Sequence, residues 1–486
     1  MFPANVSRGA AAAPAPLGML IGGEWSLRPP LIEVRNGFDG ELAGLVSAGT
    51  ATDAAQAVAR AIEALSQDFP PDARYDVLSR AAARVEAQAA DYARNIAAEG
   101  SETIREARRD PLRAAAILRL AAAESRDLAD RAFAPESSAG QGRENRAGYT
   151  LRVPLGVVAA VVSWQDPLTT AALAVAPALA AGNAVVLKPS PLAPLAALQL
   201  ARDLMEAGLP AGRLSTLTGP GEDVEMALAT DPGVRMLWFA GAPDEGQRLA
   251  RAAGLKAVAL HVAANAPFLV LAGADLEAAA GGICALAFSH GGRNRLGLQR
   301  VLIQRDLYAA FAGSLHERVA ALKAGPSGDE TSDLGPMMSE TQAIHAAEWI
   351  AGALAHGAVI VAGGGRRGAL VEPTVLARVP PEWLAHRDEV FGPVVALQPF
   401  DSLDSAIVQA NQVPHAAHSA VFTRDLREAF TAVGSLQAAA VTVNDAGGDP
   451  IEPGPFGALR LGGSSREAMR AAVREFTGTR AACFYY

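Results

Sequence analysis

Between Gly156 and Gly254 the chain alternates short apolar runs with longer helical stretches, and this alternation constrains the fold more than any other feature. "GVVAAVVSW" and "NAVVLKPS" are compact runs dense in valine, and "RLSTLTGPG" follows in the same manner. A strand covered on both faces has no polar side to show, so it reads as an unbroken apolar run. "TTAALAVAPALAAG" and "APLAALQLARDLMEAG" separate these runs and read as helices, the second ending at Gly208. "VRMLWFAGAPDEGQRLARAAG" adds a strand, a turn and a helix. Strands and helices in succession predict a parallel sheet wound in βαβ units. Such sheets bind nucleotides at the carboxyl ends of their strands. A second stretch of the same kind opens near Pro267 with "PFLVLAGADLEAAAGGICALAFSHGG" and runs through "GAVIVAGG" to "SAVFTRDLREAFTAVGSL". A chain of 486 residues exceeds the ~250–300 that one core organises, so two large α/β units are expected.

Upstream, three segments read as helices. "ATDAAQAVARAIEAL" places Ala55, Val58, Ala59 and Ile62 on one apolar stripe. "ARYDVLSRAAARVEAQAADYARNIAAEG" ends at Gly100 as a cap, and "ETIREARRDPLRAAAILRLAAAESRDLAD" carries Pro111 as a start or kink. Aromatics make up only 5% of the chain, so the core should be Ala, Val and Leu with closely packed helices. A net charge of −9 and a pI near 5.5 oppose nucleic-acid binding, which needs a basic face. Neither pairing nor a metal site is indicated for Cys284 and Cys483, which fits a reducing, cytoplasmic setting. "MFPANVSRGAAAAPAPLGML" reads as a flexible leader. The uncharged run Leu168 to Leu187 contains Pro177, Gly182 and Asn183, so a helix, a turn and a strand explain it better than a membrane span.

From about Leu20 to Phe476 a series of motifs stands in one order: "LIGGEW", "RVPLGVVAAVVSWQDPL", "NAVVLKPSPLAP", "VRMLWFAGAPDEG", "DEVFGPVVALQPF" and "GPFGALRLGGSSRE". Together they resemble the aldehyde dehydrogenase superfamily. The resemblance implies an α/β fold with a Rossmann-type nucleotide-binding domain, an α/β catalytic-type domain and a β-strand oligomerisation hairpin. On this chain the expected division is 1–130 with 151–262, then 263–445, with 131–150 and 470–486 as bridging strands.

The family's chemistry uses a cysteine thiolate against the aldehyde, donors for the oxyanion, hydride transfer to NAD(P), and a glutamate that activates water. Phe288, Gly292 and Arg300 set the register of the nucleophile motif, which puts Arg295 at the cysteine position, or Asn294 with a one-residue slip. In "HVAANAP", His261 stands at the general-base position. In "WQDP", Gln165 stands at the oxyanion-donor position, with Asp166 adding a negative charge beside it. The cofactor positions kept are Trp164, Lys188, Gly219, Gly241, Glu389 and Phe391, whereas Pro191 and Ala242 replace a ribose acceptor and a pyrophosphate contact.

With nucleophile and base replaced, the expectation is a protein without aldehyde oxidation, kept for a structural, assembly or regulatory role. NAD or NADP would bind weakly or not at all, and no resident metal is expected. Two alternatives stay open. Arg293, Arg295 and His261 could form an anion-binding acid–base group, or Cys284 could be recruited as nucleophile. Arg295 is expected to fill the former tunnel and pair with Asp166. The tail "ACFYY" would be covered at an interface or packed on its own subunit. The expected assembly is a homodimer or homotetramer, or a hetero-oligomer with an active dehydrogenase, with no nucleic-acid or membrane partner.

Overall fold

The valine-rich runs form the centre of a seven-stranded sheet ordered Ala257–Val262, Val234–Gly241, Val157–Val161, Ala184–Lys188, Leu214–Thr216, Met19–Ile21 and Glu24–Ser26. The first five run parallel, and Met19–Ile21 and Glu24–Ser26 join antiparallel. This computed structural model describes residues 14–128, 132–133, 146–262, 265–293, 297–380, 383, 390, 392–412, 417–447 and 468–485. Val157–Val161 and Ala184–Lys188 are buried at every position. Successive side chains point to opposite faces. Accordingly Val158, Ala160, Val185 and Leu187 join one core, and Val157, Ala159, Ala184 and Val186 join another. The helix Pro167–Ala180, buried along its whole length, covers the first of these faces.

A second seven-stranded sheet is ordered Val359–Ala362, Thr374–Ala377, Val394–Phe400, Leu298–Gln304, Ala266–Val270, His418–Phe422 and Ala440–Val443, parallel except for the first strand. A third sheet joins Thr477–Tyr485, Arg146–Pro154 and Ala132–Phe133 antiparallel. Phe484 in the tail stacks on Tyr149 at 5.7 Å. The α/β class expected from the sequence is therefore the fold observed.

Three local expectations need correction. In the helix Ala51–Leu65 the buried face is Asp53, Ala54, Ala57, Val58, Ala61 and Ala64, while Ala55, Ala59 and Ile62 are exposed. Alanine is apolar in every direction, so an alanine-rich helix does not announce which stripe will pack. The long helix read from Ala73 to Gly100 divides at Gln88 into Pro71–Ala87 and Ala89–Glu99. The long helix read from Glu102 is likewise two, Ile104–Ala107 and Asp110–Ser125, with Pro111 at the start of the second, one of the two places expected for it, where its missing N–H is harmless.

Candidate functional site

The helix Leu276–Ala287 ends at the buried Phe288, and the chain then turns through three left-handed residues: His290 (φ 51°), Gly291 (66°) and Gly292 (75°). A Cβ on Gly292 would lie 2.2 Å from the Pro393 Cα, so only glycine fits there. The His290 N–H donates to Glu106 Oε1 at 2.7 Å, which holds this turn against the helix Ile104–Ala107.

Arg293 folds back under the turn and is fully buried. Its Nε donates to the His290 carbonyl (3.3 Å), Nη2 to the Pro336 carbonyl (3.2 Å) and Nη1 to Gln342 Oε1 (3.4 Å). The guanidinium carbon lies 4.5 Å from the Trp164 ring centroid. Burial pulls Arg293 down to about 9, against the opposing pull of Glu106 and Glu102. The alternative in which Arg293 faces a funnel as an anion binder is disfavoured, because the chain's own carbonyls, an amide and an indole take its donors and its face. Asn294 and Arg295 lie outside the described residues, as do the expected Arg295–Asp166 pairing and the filling of the tunnel.

The "WQDP" turn forms the opposite wall. Gln165 Nε2 donates to the Arg293 carbonyl at 2.7 Å, so the amide at the oxyanion-donor position is engaged by backbone. Asp166, itself left-handed (φ 40°), precedes the helix Pro167–Ala180. Its Oδ1 lies 3.4 Å from His290 Nδ1 and 3.8 Å from Arg113 Nη1. Glu102 Oε1 approaches the same His290 nitrogen at 3.5 Å. Below them Asp110 accepts the N–H groups of Leu168 and Thr169 and the Thr169 hydroxyl. Burial works against charge on His290, but Asp166, Glu102 and Glu106 outweigh it and hold the imidazole up at about 10. Burial raises Glu102. Burial first, then Glu102 and Asp166, push Asp110 up to about 7.

Sequence reasoning missed this cluster. Glu102, Glu106 and Asp110 were read only as part of a helix, and His290 only as part of a motif. The available signal was the four-residue spacing of the three acids in one segment that also had to approach the "WQDP" turn.

The remaining sequence candidates are placed as follows. His261, half-buried at the end of Ala257–Val262, packs its ring on Trp238 at 4.4 Å. Cys284 is 6% exposed among Ile283, Phe288 and Leu315, and burial pushes its thiol up to about 11. Cys483 is exposed on the tail strand. Glu389 and Phe391 lie outside the described residues.

Trp164, Lys188, Gly219 and Gly241 can be tested for a dinucleotide. Lys188, at the carboxyl end of its strand, is fully buried, and its Nζ donates to the Pro189 carbonyl (2.9 Å) and to Glu225 (3.4 Å). Burial lowers the Lys188 ammonium, and Glu225 and Glu245 oppose that. Gly219 (φ 149°) crosses the Gly49 backbone so closely that a Cβ would collide, and a Cβ on Gly241 would lie 2.7 Å from the Phe239 ring. The helices Gly221–Thr230 and Pro243–Ala253 begin beside this crevice with Glu222, Asp223, Asp244 and Glu245 in their first turns. A helix N-terminus attracts an anion such as pyrophosphate, but here the chain's own carboxylates already complement both ends. Trp164 is covered on one face by Arg293. Lys188 directs two of its three donors to Pro189 and Glu225.

A nucleotide-type parallel sheet, a second parallel sheet and a three-stranded sheet closed by the tail define a dehydrogenase-type α/β architecture. The chain belongs to the aldehyde dehydrogenase family, which it matches over residues 26–482. It is 36% identical over 463 residues to 3-sulfolactaldehyde dehydrogenase of Priestia aryabhattai, covering 95% of this chain and 97% of that protein. It is 36% identical over 460 residues to aspartate-semialdehyde dehydrogenase 1 of Pseudomonas canavaninivorans, covering 93% and 96%. Among solved structures, an NADP-dependent enzyme of E. coli superposes with a TM-score of 0.93 at 28% identity, covering 97% of this chain and 98% of the other. An NAD-dependent aldehyde dehydrogenase of Sinorhizobium meliloti superposes with a TM-score of 0.92 at 28% identity, covering 97% and 95%.

Proposed function

We propose that this aldehyde dehydrogenase relative does not oxidise aldehydes through a thioester and is kept for a structural, assembly or regulatory role. The supporting observation is where its two thiols stand. Cys284 is packed in the core with its thiol near 11, and Cys483 lies on the tail strand. A thiol at that value is ionised in roughly one molecule in ten thousand at neutral pH, and the thiolate is the nucleophile. The register of Phe288, Gly292 and Arg300 leaves Arg295 or Asn294 at the nucleophile position, and neither forms a thioester. NAD(P) binding is weak, because Lys188 is already held by Glu225.

A second reading draws on the relatives, whose names describe dehydrogenases of 3-sulfolactaldehyde, aspartate semialdehyde and betaine aldehyde. On that reading the protein is an NAD(P)-dependent oxidoreductase with altered chemistry, using Arg295 and His261 or a recruited Cys284. Incubation with NAD or NADP and a panel of aldehydes, sulfonate- and carboxylate-bearing ones included, separates the two. The first reading expects no turnover. Turnover above about 1 s⁻¹, an ordinary enzyme rate, that is abolished by Cys284→Ser would establish the recruited cysteine. Turnover that survives Cys284→Ser would point to His261 and Arg295.

The units 1–130 with 151–262, 263–445, and 131–150 with 470–486 are taken as cofactor-type, catalytic-type and oligomerisation parts. Tyr149, Leu151 and Phe484 are exposed on the three-stranded sheet, which supports a homodimer or homotetramer, or pairing with an active dehydrogenase. Deleting Ala481–Tyr486 should lower the oligomer mass in light scattering. Among the described residues no helix is long and apolar enough to cross a membrane. A cytoplasmic location is the matching proposal, drawn from the two unpaired cysteines.

A further inference from the structure

The geometry points to a divalent transition-metal site formed by Glu102, Asp166 and His290, suited to a cation of the zinc type. The three residues come from separate segments: the approach to the helix Ile104–Ala107, the cap of Pro167–Ala180 and the turn Ser289–Gly291. Their donor atoms all lie within 4.8 Å of one another.

The spacing fits ligands sharing one ion as well as the ion pair that a protonated His290 makes with both carboxylates. His290 Nδ1 stands 3.4 Å from Asp166 Oδ1 and 3.5 Å from Glu102 Oε1. Metal bonds of ~2.0–2.2 Å in a tetrahedral site place neighbouring ligand atoms about 3.3–3.6 Å apart.

The second observation adds an atom outside those contacts, Glu102 Oε2. Glu102 Oε2, Asp166 Oδ1 and His290 Nδ1 are buried with no hydrogen-bond partner, and Glu102 and Asp166 are only 3% and 5% exposed. Buried polar atoms are ordinarily satisfied, and buried carboxylates are paired or coordinate a metal. Arg113, at 3.8 Å from Asp166 Oδ1, is too distant for a hydrogen bond to that oxygen.

The support is already in place. The Glu106 carboxylate fixes the His290 backbone, and Asp166 leads into a fully buried helix. Two carboxylates neutralise a divalent ion, one imidazole favours a transition metal over calcium or magnesium, and a fourth position stays available for water. The site is independent of whether the protein oxidises aldehydes.

The test uses the full chain, stripped with a chelator and titrated with zinc against a chromophoric competitor, with cobalt as a spectroscopic probe. We expect one zinc per chain and a visible cobalt band of tetrahedral intensity. Asp166→Asn and His290→Asn, the latter chosen because asparagine tolerates the left-handed backbone, should each weaken zinc binding by about 100-fold or more, beyond the 10–100-fold that outer partners cost. Glu245→Gln, in the Lys188 crevice, should leave it unchanged. Wild-type protein that takes up no stoichiometric zinc, leaving a proton on His290 as the cluster's cation, would overturn the proposal, whether or not the variants fold. Unchanged affinity in both folded variants would do the same.

Discussion

Lys188 and Asp166 stand at the ends of neighbouring parallel strands, Ala184–Lys188 and Val157–Val161, yet the cation that meets the buried carboxylates differs between them. Around Lys188 opposite charges meet: the ammonium reaches Glu225 and the Pro189 carbonyl, and Glu245 lies beside Glu225. Glu225 Oε2 lacks a hydrogen-bond partner. Burial, then the Glu225 carboxylate, push Glu245 up to about 7, so that Glu245 can supply the missing proton. Around Asp166 two carboxylates share one imidazole, that of His290, at 3.4 and 3.5 Å, and Glu102 Oε2, Asp166 Oδ1 and His290 Nδ1 are buried without a hydrogen bond. At the same place in the fold, the carboxyl ends of the strands, the cation is a lysine on one side and, on the other, a histidine whose proton a metal could replace. A buried charge needs a partner, and where the chain does not provide one, a ligand or a proton must.

The largest test of this contrast is Arg293→Ala. Arg293 belongs to the Asp166 side, stacked on Trp164 and bonded to the His290 and Pro336 carbonyls. Its loss leaves those carbonyls unpaired and removes a positive charge near Glu106 and Glu102. Stability should fall by about 3–5 kcal/mol, read from urea midpoints. A loss under about 1 kcal/mol would mean that the turn is held by its glycines alone.

Next in size is Glu225→Ala. Lys188 keeps the Pro189 carbonyl and can shed its proton, so the expected loss is about 2 kcal/mol. The same change should tighten NADP or NAD binding tenfold or more, about 1.4 kcal/mol by calorimetry. If neither dinucleotide gains affinity, Glu225 is not what closes the crevice.

The smallest effect is electrostatic. The folded-state value of Glu245, about 7, lies above its ordinary 4.5, so the folded protein holds that proton more tightly than the unfolded chain. The contribution is complete below 4.5 and is lost as pH rises through 7. Glu245→Gln should therefore gain on wild type between about pH 5 and about pH 8. The side chain is 39% exposed, and with solvent screening the gain is about 1 kcal/mol. A flat difference across that window would separate Glu245 from the Glu225 pair.

Much of this was legible locally. Val157–Val161 and Ala184–Lys188 could only be central strands, because a run without polar residues must be covered on both faces. Gly291 and Gly292 marked a turn because the backbone there needs positive φ. The lack of cysteine at residues 294 and 295 is a plain fact of the sequence. Other features were not legible, because they depend on which surfaces meet. Alanine left the packed stripe of Ala51–Leu65 undetermined until the sheet selected Ala54, Ala57 and Ala61. Whether Arg293 bound an anion or filled the interior stayed open in the sequence until Trp164 and the Pro336 carbonyl were seen to close around it. Glu102, Asp166 and His290 lie far apart along the chain, and no local pattern says that they share a site. Strand, helix and turn follow from neighbours within a few residues, so the sequence alone determined them. The pairing of buried charges requires several segments to pack into one place of low dielectric, and only the tertiary structure decided that.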